Sequence, residues 1–450
     1  MRPRSVTEHH RVSTPLELLV DLSFVVAIAQ ASTKLHHALS EGHVGTGVAA
    51  YVGVFFAVWW AWMNFTWFGS AFDIDDVPYR IATLVQVAGV LILASGVPRA
   101  FDDHDFAIVT LGYAVMRCGL VAQWLRAARG AGQDGVSQDG PDGQPEPEGQ
   151  SRPDGRPRPA LAAGTAGPID NDVHDVPTGS RAARTYASGI SLCMIGWAGL
   201  LFLPDAVWAP AFAVMVLAEL AVPILAERRD LTPWHPHHIA ERYGLFTIIV
   251  LGESILSATV AVQTALDDHD ASAALFAVAC GGLLIVFAMW WLYFARPAHE
   301  FLVSSRVAFT WGYGHYFVFA AAAAVGAGLA AGVDQATHHA KLDALATGAT
   351  VTVPVAIFLL AVALLHLRPA RADPRPVRTP DPGPAQSRRT AALVGMAALA
   401  VLATTTFGLL SSGAAVLATG GVLAMLIAAA EVVGWESSRP AAEPGGSHRH

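Results

Sequence analysis

The chain has 450 residues, of which 53% are hydrophobic and only 14% charged, and it carries a formal net charge of −8. A soluble domain has nearer a quarter charged residues, so the composition excludes an ordinary globular class and implies a polytopic membrane protein. No basic stretch interleaved with aromatics is present, so no nucleic-acid partner is expected and the lipid bilayer is.

Met1 to Thr14 is polar, and the first apolar run already contains Glu17 and Asp21. That is no cleavable signal peptide, and the first span is expected to be its own targeting signal. About twenty apolar residues cross a bilayer as a helix. Twelve such stretches follow in order: 15–37, 46–69, 80–98, 106–127, 183–203, 207–226, 242–263, 272–295, 306–332, 344–367, 390–411 and 413–433. The fold class is therefore all-α, a helical membrane protein of about 12 transmembrane helices.

The expected organisation is spans one to four in 1–128, a cytoplasmic linker over 129–180, spans five to ten in 181–368, a second linker over 369–389, spans eleven and twelve in 390–434, and a tail over 435–450. The linkers are rich in Gly, Pro, Asp and Gln and bury too little apolar area to order themselves, so linkers and tail are expected to be disordered.

Basic residues test the orientation. With the N-terminus inside, 24 of the 28 Lys and Arg fall on the cytoplasmic side, against Lys34, Arg99 and Lys341 outside and Arg117 within a span. This positive-inside pattern predicts a multi-pass protein of the cell membrane with both termini cytoplasmic. A missed pair of spans preserves the pattern, so ten satisfies it as well as twelve. Cys118, Cys193 and Cys280 lie in apolar runs without metal-ligand spacing and read as small core residues without disulfides.

The second span contains Phe56-Ala57-Val58-Trp59-Trp60, and the eighth contains Phe287-Ala288-Met289-Trp290-Trp291. One span earlier, Leu19-Val20-Asp21 aligns with Leu251-Gly252-Glu253. These echoes, six spans apart, suggest two parallel six-helix repeats, a plan common among transporters.

Charges within the spans are the candidate functional residues, because a charge at mid-bilayer costs at least about 2.5 kcal/mol and usually serves a pathway or a buried pair. Glu17 and Asp21 are four apart and share a helix face. Glu17 sits in the first turn, where a carboxylate favours the helix dipole and can reach water. Arg80, followed by Gln86, reads as a snorkelling arginine. Arg117, near the centre of its span, calls for an acid, with Asp21, Glu219 and Glu253 as candidates. Glu253 lies about nine residues from either end of an apolar stretch. His315 has a pKa suited to proton transfer, although a lone intramembrane His is more often a packing residue. His238 and Glu241, three apart, and Arg242 open the seventh span. No third or fourth ligand has matching spacing, so no metal and no cofactor is expected. Enzyme signatures are absent as well: no nucleophile elbow, no phosphate-binding glycine loop and no zinc-protease motif.

Two long motifs carry a resemblance. Thr14-Pro-Leu-Glu17-Leu-Leu-Val-Asp21-Leu-Ser-Phe-Val-Val-Ala-Ile-Ala-Gln30 resembles the opening signature of the bacterial low temperature requirement protein A (LtrA) family. Ala240-Glu-Arg-Tyr-Gly-Leu-Phe-Thr-Ile-Ile-Val-Leu-Gly-Glu253-Ser-Ile-Leu is similar to its second signature. The Arg80…Gln86 span, Tyr113…Met116-Arg117 and Gly314-His315-Tyr316 resemble further family features. The resemblance implies a multi-pass inner-membrane protein linked by name to growth in the cold. It marks Glu17, Asp21, Arg80, Arg117, Glu241, Arg242, Glu253 and His315 as motif positions and supplies no reaction, substrate or catalytic residue.

On physical grounds the first reading is a secondary transporter or lipid translocator, proton-coupled, and no enzyme. Asp21 and Glu253 would be the titrating or substrate-facing acids, Arg117 their counter-charge, His315 an accessory relay and Glu219 a further pathway residue. The substrate would be a small molecule, a lipid or the proton itself. The alternative is a non-transporting sensor or scaffold whose buried charges are structural locks.

Overall fold

Helix starts fall where a capping side chain meets the first apolar turn. In the computed structural model, Thr14 caps α1 in a reciprocal capping box with Glu17, with Pro15 in the first turn. Asp76, Ser272 and Ser304 each accept a backbone N–H at the starts of α3, α8 and α9. The structure describes residues 13–72, 75–134, 179–228, 230–267, 272–302, 304–366 and 384–438.

Among the described residues there are twelve α-helices and no strand. They are α1 (Pro15–Ser40), α2 (Val44–Phe72), α3 (Val77–Asp102), α4 (Ala107–Asp134), α5 (Ser180–Leu200), α6 (Asp205–Glu227), α7 (Pro236–Asp267), α8 (Ala273–Phe294), α9 (Ser305–Ala336), α10 (Ala344–His366), α11 (Pro384–Thr404) and α12 (Ser412–Ser438). Eleven are long and apolar enough to cross a membrane. The other, α5, is diluted by Arg181, Arg184, Thr185, Ser188 and Ser191, and buries an alanine-rich face with Tyr186 stacked on Trp124. This is a multi-pass helical membrane protein. Between α11 and α12 lies a 3-10 turn at Thr405–Leu409.

Short connections make successive helices antiparallel. The end of the bundle at which α1 starts gathers Arg80, Arg126, Arg129, Arg181, Arg184, Arg228, Arg296 and Arg306, and is called the basic face below. At the opposite face each of the three basic residues meets an acid: Lys34 pairs with Asp102, Lys341 with Glu41, and Arg99 lies 4.0 Å from Asp105.

The tightest crossing is α3 on α4, where glycines replace side chains. A Cβ on Gly112 would lie 2.3 Å from the Leu93 nitrogen, and one on Gly89 2.7 Å from that of Met116. Close backbone approach of this kind drives helix association in lipid, where no hydrophobic force between helices remains.

Neighbours run in the same order in both halves. Helix α1 packs on α3, α3 on α4, α4 on α5 and α5 on α6; likewise α7 packs on α9, α9 on α10, α10 on α11 and α11 on α12. The tryptophan echo is not mirrored. Trp59 and Trp60 are buried, whereas Trp290 and Trp291 are each 47% exposed. Helix α12 packs on α8 at Gly281, and Trp291 at the edge of that contact donates to Glu431 of α12 at 3.3 Å.

The expected disordered segments fall mostly outside the described residues. Their edges do not: α4 continues to Asp134, α5 begins at Ser180, α11 at Pro384 and α12 reaches Ser438. Just before the first extension, Arg126 pairs with Asp76, and the Ser180 hydroxyl donates to the Ala128 carbonyl. Of the three cysteines, all free, Cys193 is buried as expected; Cys118 and Cys280 are instead exposed, on helix faces that no neighbour covers.

Candidate functional site

The intramembrane charges expected to share one pathway fall into separate settings. Arg117, on α4, meets Glu219 on α6 at 3.4 Å, both 1% exposed. Glu219 is an acceptor hub: Trp60 Nε1 donates to Oε2 at 2.8 Å, while the Tyr113 hydroxyl and Trp197 Nε1 donate to Oε1 at 3.0 and 3.1 Å. Arg117 also donates to the Tyr113 hydroxyl and lies over the Tyr113 ring. Four side chains from α2, α4 and α5 thus saturate one carboxylate on α6, which is how a charge survives in apolar surroundings.

Asp21 has a different partner. Arg242 Nη2 and Trp62 Nε1 each donate to Asp21 Oδ1 at 2.7 Å, and both ends of the ion pair are fully buried. The expectation that Arg117 is the counter-charge of Asp21 and Glu253 is therefore corrected. Asp21 is one turn from Glu17 and faces α7, where Arg242 starts its apolar run, while Arg117 faces the first half's own α6.

Glu17 is also not the water-facing residue its position suggested. It is 1% exposed, and His238 Nε2 lies 3.1 Å from its Oε1. His238 is turned toward α1 and away from Glu241, whose Oε1 accepts the Ser13 backbone N–H at 3.1 Å. Two residues three apart on α7 thus both bind the start of α1. Arg80 is exposed at the basic face and paired with Asp75 at 2.8 Å, as a rim arginine should be. Gln86 donates to Gln123 at 2.9 Å in the α3–α4 seam.

At the basic face, outside the spans, the Arg126 guanidinium hydrogen-bonds Asp76 and holds its carboxyl below the usual carboxylate range.

His315 is packed among rings. Its Nδ1 lies 2.8 Å from the Trp311 carbonyl, which can only accept, so that nitrogen carries the proton. Its Nε2 faces the Tyr293 hydroxyl at 3.0 Å, and Tyr243, Trp311 and Phe319 surround the ring.

Glu253 stands apart. It is half-buried, and the hydroxyl of Ser257, one turn on, donates to it at a long 3.3 Å. No ion pair reaches it among the described residues. It faces a cavity of about 410 Å³ between α1, α7 and α9. Along α7 the wall is Glu253, Leu256, Ser257, Val260, Ala261 and Thr264, one continuous helix face. At 1.5 Å per residue, Glu253 to Thr264 spans about 16 Å. Ser32, Thr33 and His36 line the α1 side; Ala327, Ala330 and Asp334 line the α9 side. At the mouth, on the face opposite the basic one, Asp334 accepts from Ser40 at 2.6 Å and bonds His36 Nε2 at 2.8 Å.

On the basic-face side of Glu253 the structure is closed. Trp62 stacks on Phe246 at 4.1 Å, and Phe319 meets both rings edge-on. Trp62 in turn donates to Asp21, so this aromatic layer separates the two acids that sequence placed in one pathway. His36 and Asp334 were not singled out from sequence. Both lie within one or two turns of a helix end, where polar residues are ordinary. The spacing Ser32…His36 on α1, with an acid at the end of α9, was the available signal.

The profile of the family described as "Bacterial low temperature requirement A protein (LtrA)" matches residues 12–138 and 170–430. Among curated proteins, a relative from Rhizobium meliloti (strain 1021), called "Uncharacterized protein RA0937", is 25% identical over 293 residues. The match covers 64% of this chain, and the chain spans 59% of the relative's length.

Proposed function

The chain belongs to the bacterial low temperature requirement A family, and within it we propose a proton-coupled secondary transporter of the cell membrane in which Glu253 is the working carboxylate. The observation that carries this reading is that Glu253, at mid-span, faces an open cavity with neither counter-ion nor saturating donors among the described residues. An intramembrane acid so placed is suited to take and release a proton or a cation. Asp21, Arg242, Arg117 and Glu219 then hold the helices in register, and His315 packs. The aromatic layer of Trp62, Phe246 and Phe319 is the barrier that must open for alternating access. The basic face is cytoplasmic by the positive-inside rule, so the cavity opens outward.

The test is solute and proton flux in proteoliposomes under an imposed pH gradient. The reading expects Glu253→Gln to fold in normal amounts and to abolish coupled flux; unchanged flux would refute it.

The buried pairs favour a second reading, a scaffold or sensor with no transported substrate. Under it, removing either member of a pair lowers the amount of folded protein, and Glu253→Gln changes neither amount nor growth phenotype.

A further inference from the structure

We propose that the cavity between α1, α7 and α9 binds a small protonated primary amine, held through its ammonium group by Glu253 and exchanged there for a proton. This rests on Glu253 being the working carboxylate. Four observations carry it.

The first is the demand for positive charge. Glu253 uses one long hydrogen bond of the four or so that a carboxylate accepts, so most of its acceptor capacity faces the cavity. An ionised carboxylate at this depth requires a cation, and the protein does not supply one among the described residues. At the mouth, Asp334 is already engaged by His36 and Ser40. Asp334 thus takes two short bonds on Oδ2 against the one long bond of Glu253, which is the less engaged and the deeper of the two acids.

The second is size. A volume of about 410 Å³ lies within the range of small-molecule sites, roughly 300–1,000 Å³. A bare metal ion needs six or so oxygens at 2–2.6 Å, and among the described residues no cluster of three His, Cys, Asp or Glu is placed to hold one.

The third is mixed polarity. Hydroxyls of Ser257 and Thr264 alternate with Leu256, Val260 and Ala330 around the cavity. Such a wall suits a cationic head with a short aliphatic body.

The fourth is depth. Lipid headgroups lie beyond the hydrocarbon core, about 15 Å from its centre, whereas Glu253 is near mid-span. A free soluble amine reaches it through the mouth.

A proton and an ammonium compete for one carboxylate, so each weakens the other's binding by the same factor. That reciprocity gives one-for-one exchange without a second site. The other titratable groups facing the cavity are His36 on α1, Asp334 on α9 and His339 in the loop after α9.

The experiment is calorimetric titration of the purified full chain in phosphatidylcholine nanodiscs with n-butylammonium chloride, with 1-butanol as the uncharged control. Saturable binding of butylammonium and none of butanol is expected. Affinity should fall with pH, approaching about tenfold per unit once Glu253 protonates. Glu253→Gln should weaken binding at least about tenfold, a loss typical of one buried charge-assisted contact, while thermal unfolding stays as in the native chain. Ala261→Leu, which fills the cavity without touching the acid, should weaken it too. His36→Asn should retain the pH dependence. Equal binding of butanol, no saturable binding, or full affinity in Glu253→Gln would overturn the site. Butylammonium binding without pH-driven flux would leave the site standing and remove the transport reading; Glu253-dependent proton flux without butylammonium binding would do the reverse.

Discussion

Replacing Glu219 by Gln separates structural charge from working charge. The substitution keeps size and one carbonyl oxygen but removes the charge that neutralises Arg117 and puts an NH₂ group against donors. Trp60, Tyr113, Trp197 and Arg117 all point N–H or O–H groups at the two oxygens. Whichever way the amide turns, two donors lose an acceptor (Trp60 and Arg117, or Tyr113 and Trp197), and in either case buried Arg117 loses its counter-charge. Breaking a buried pair by removing one partner costs about 3–5 kcal/mol. That is roughly a hundred- to a few-thousand-fold in the folding equilibrium. Glu253→Gln loses one long, half-exposed hydrogen bond and should cost no more than about 1 kcal/mol. The assay is folded yield from membranes together with denaturant unfolding in detergent. Glu219→Gln should fall far below Glu253→Gln, and Arg117→Met/Glu219→Leu should recover most of the loss, because a buried pair can be replaced by apolar groups at little cost. Native-like stability of Glu219→Gln alone would refute the reasoning.

Asp21→Asn and Arg242→Met should each destabilise by a comparable amount and Arg242→Lys should not rescue, since an ammonium lacks the planar guanidinium fork; unfolding of the three variants checks this. Gly112→Ala should prevent normal accumulation, because its Cβ would sit 2.3 Å from the Leu93 nitrogen, whereas Gly252→Ala, with open space around its Cβ, should accumulate normally. The Asp76–Arg126 pair gives an acid-side signature. Its lowered carboxyl pKa means a contribution present above the ordinary carboxylate range and lost as pH falls through the lowered value. Partial exposure limits that contribution to about 1 kcal/mol or less. Thermal unfolding of Asp76→Asn should therefore lie slightly below the native chain at pH 7 and converge with it in acid.

The helices were legible because apolar runs are long; the caps at Thr14, Asp76 and Ser304 came from the structure. The arginine asymmetry was legible for the same reason, being a count along the chain. What sequence could not provide was partner choice. Arg117 had three candidate acids, and its pairing with Glu219 depends on α5 and α6 folding back onto α4. Glu17 looked water-facing because it lies in a first turn; the start of α7, bringing His238 and Glu241 together over α1, buries it. The Trp59-Trp60 motif suggested a repeat, yet its chemical role, Trp60 donating to Glu219, needs a carboxylate 159 positions away. Glu253 stood out in sequence by its depth, and the structure adds that it lines a cavity.

The central claim is that Glu253 opens to the face opposite the arginines, with the aromatic layer closing the other side in this conformation. Ser257, one turn along the same wall, reports on this when replaced by Cys in a variant whose Cys118, Cys193 and Cys280 are serines. A membrane-impermeant maleimide is applied separately to vesicles of each orientation. The account predicts that Ser257→Cys is labelled faster from the face carrying Asp334 and His339 than from the basic face. Labelling only from the basic face, or from neither, would contradict it.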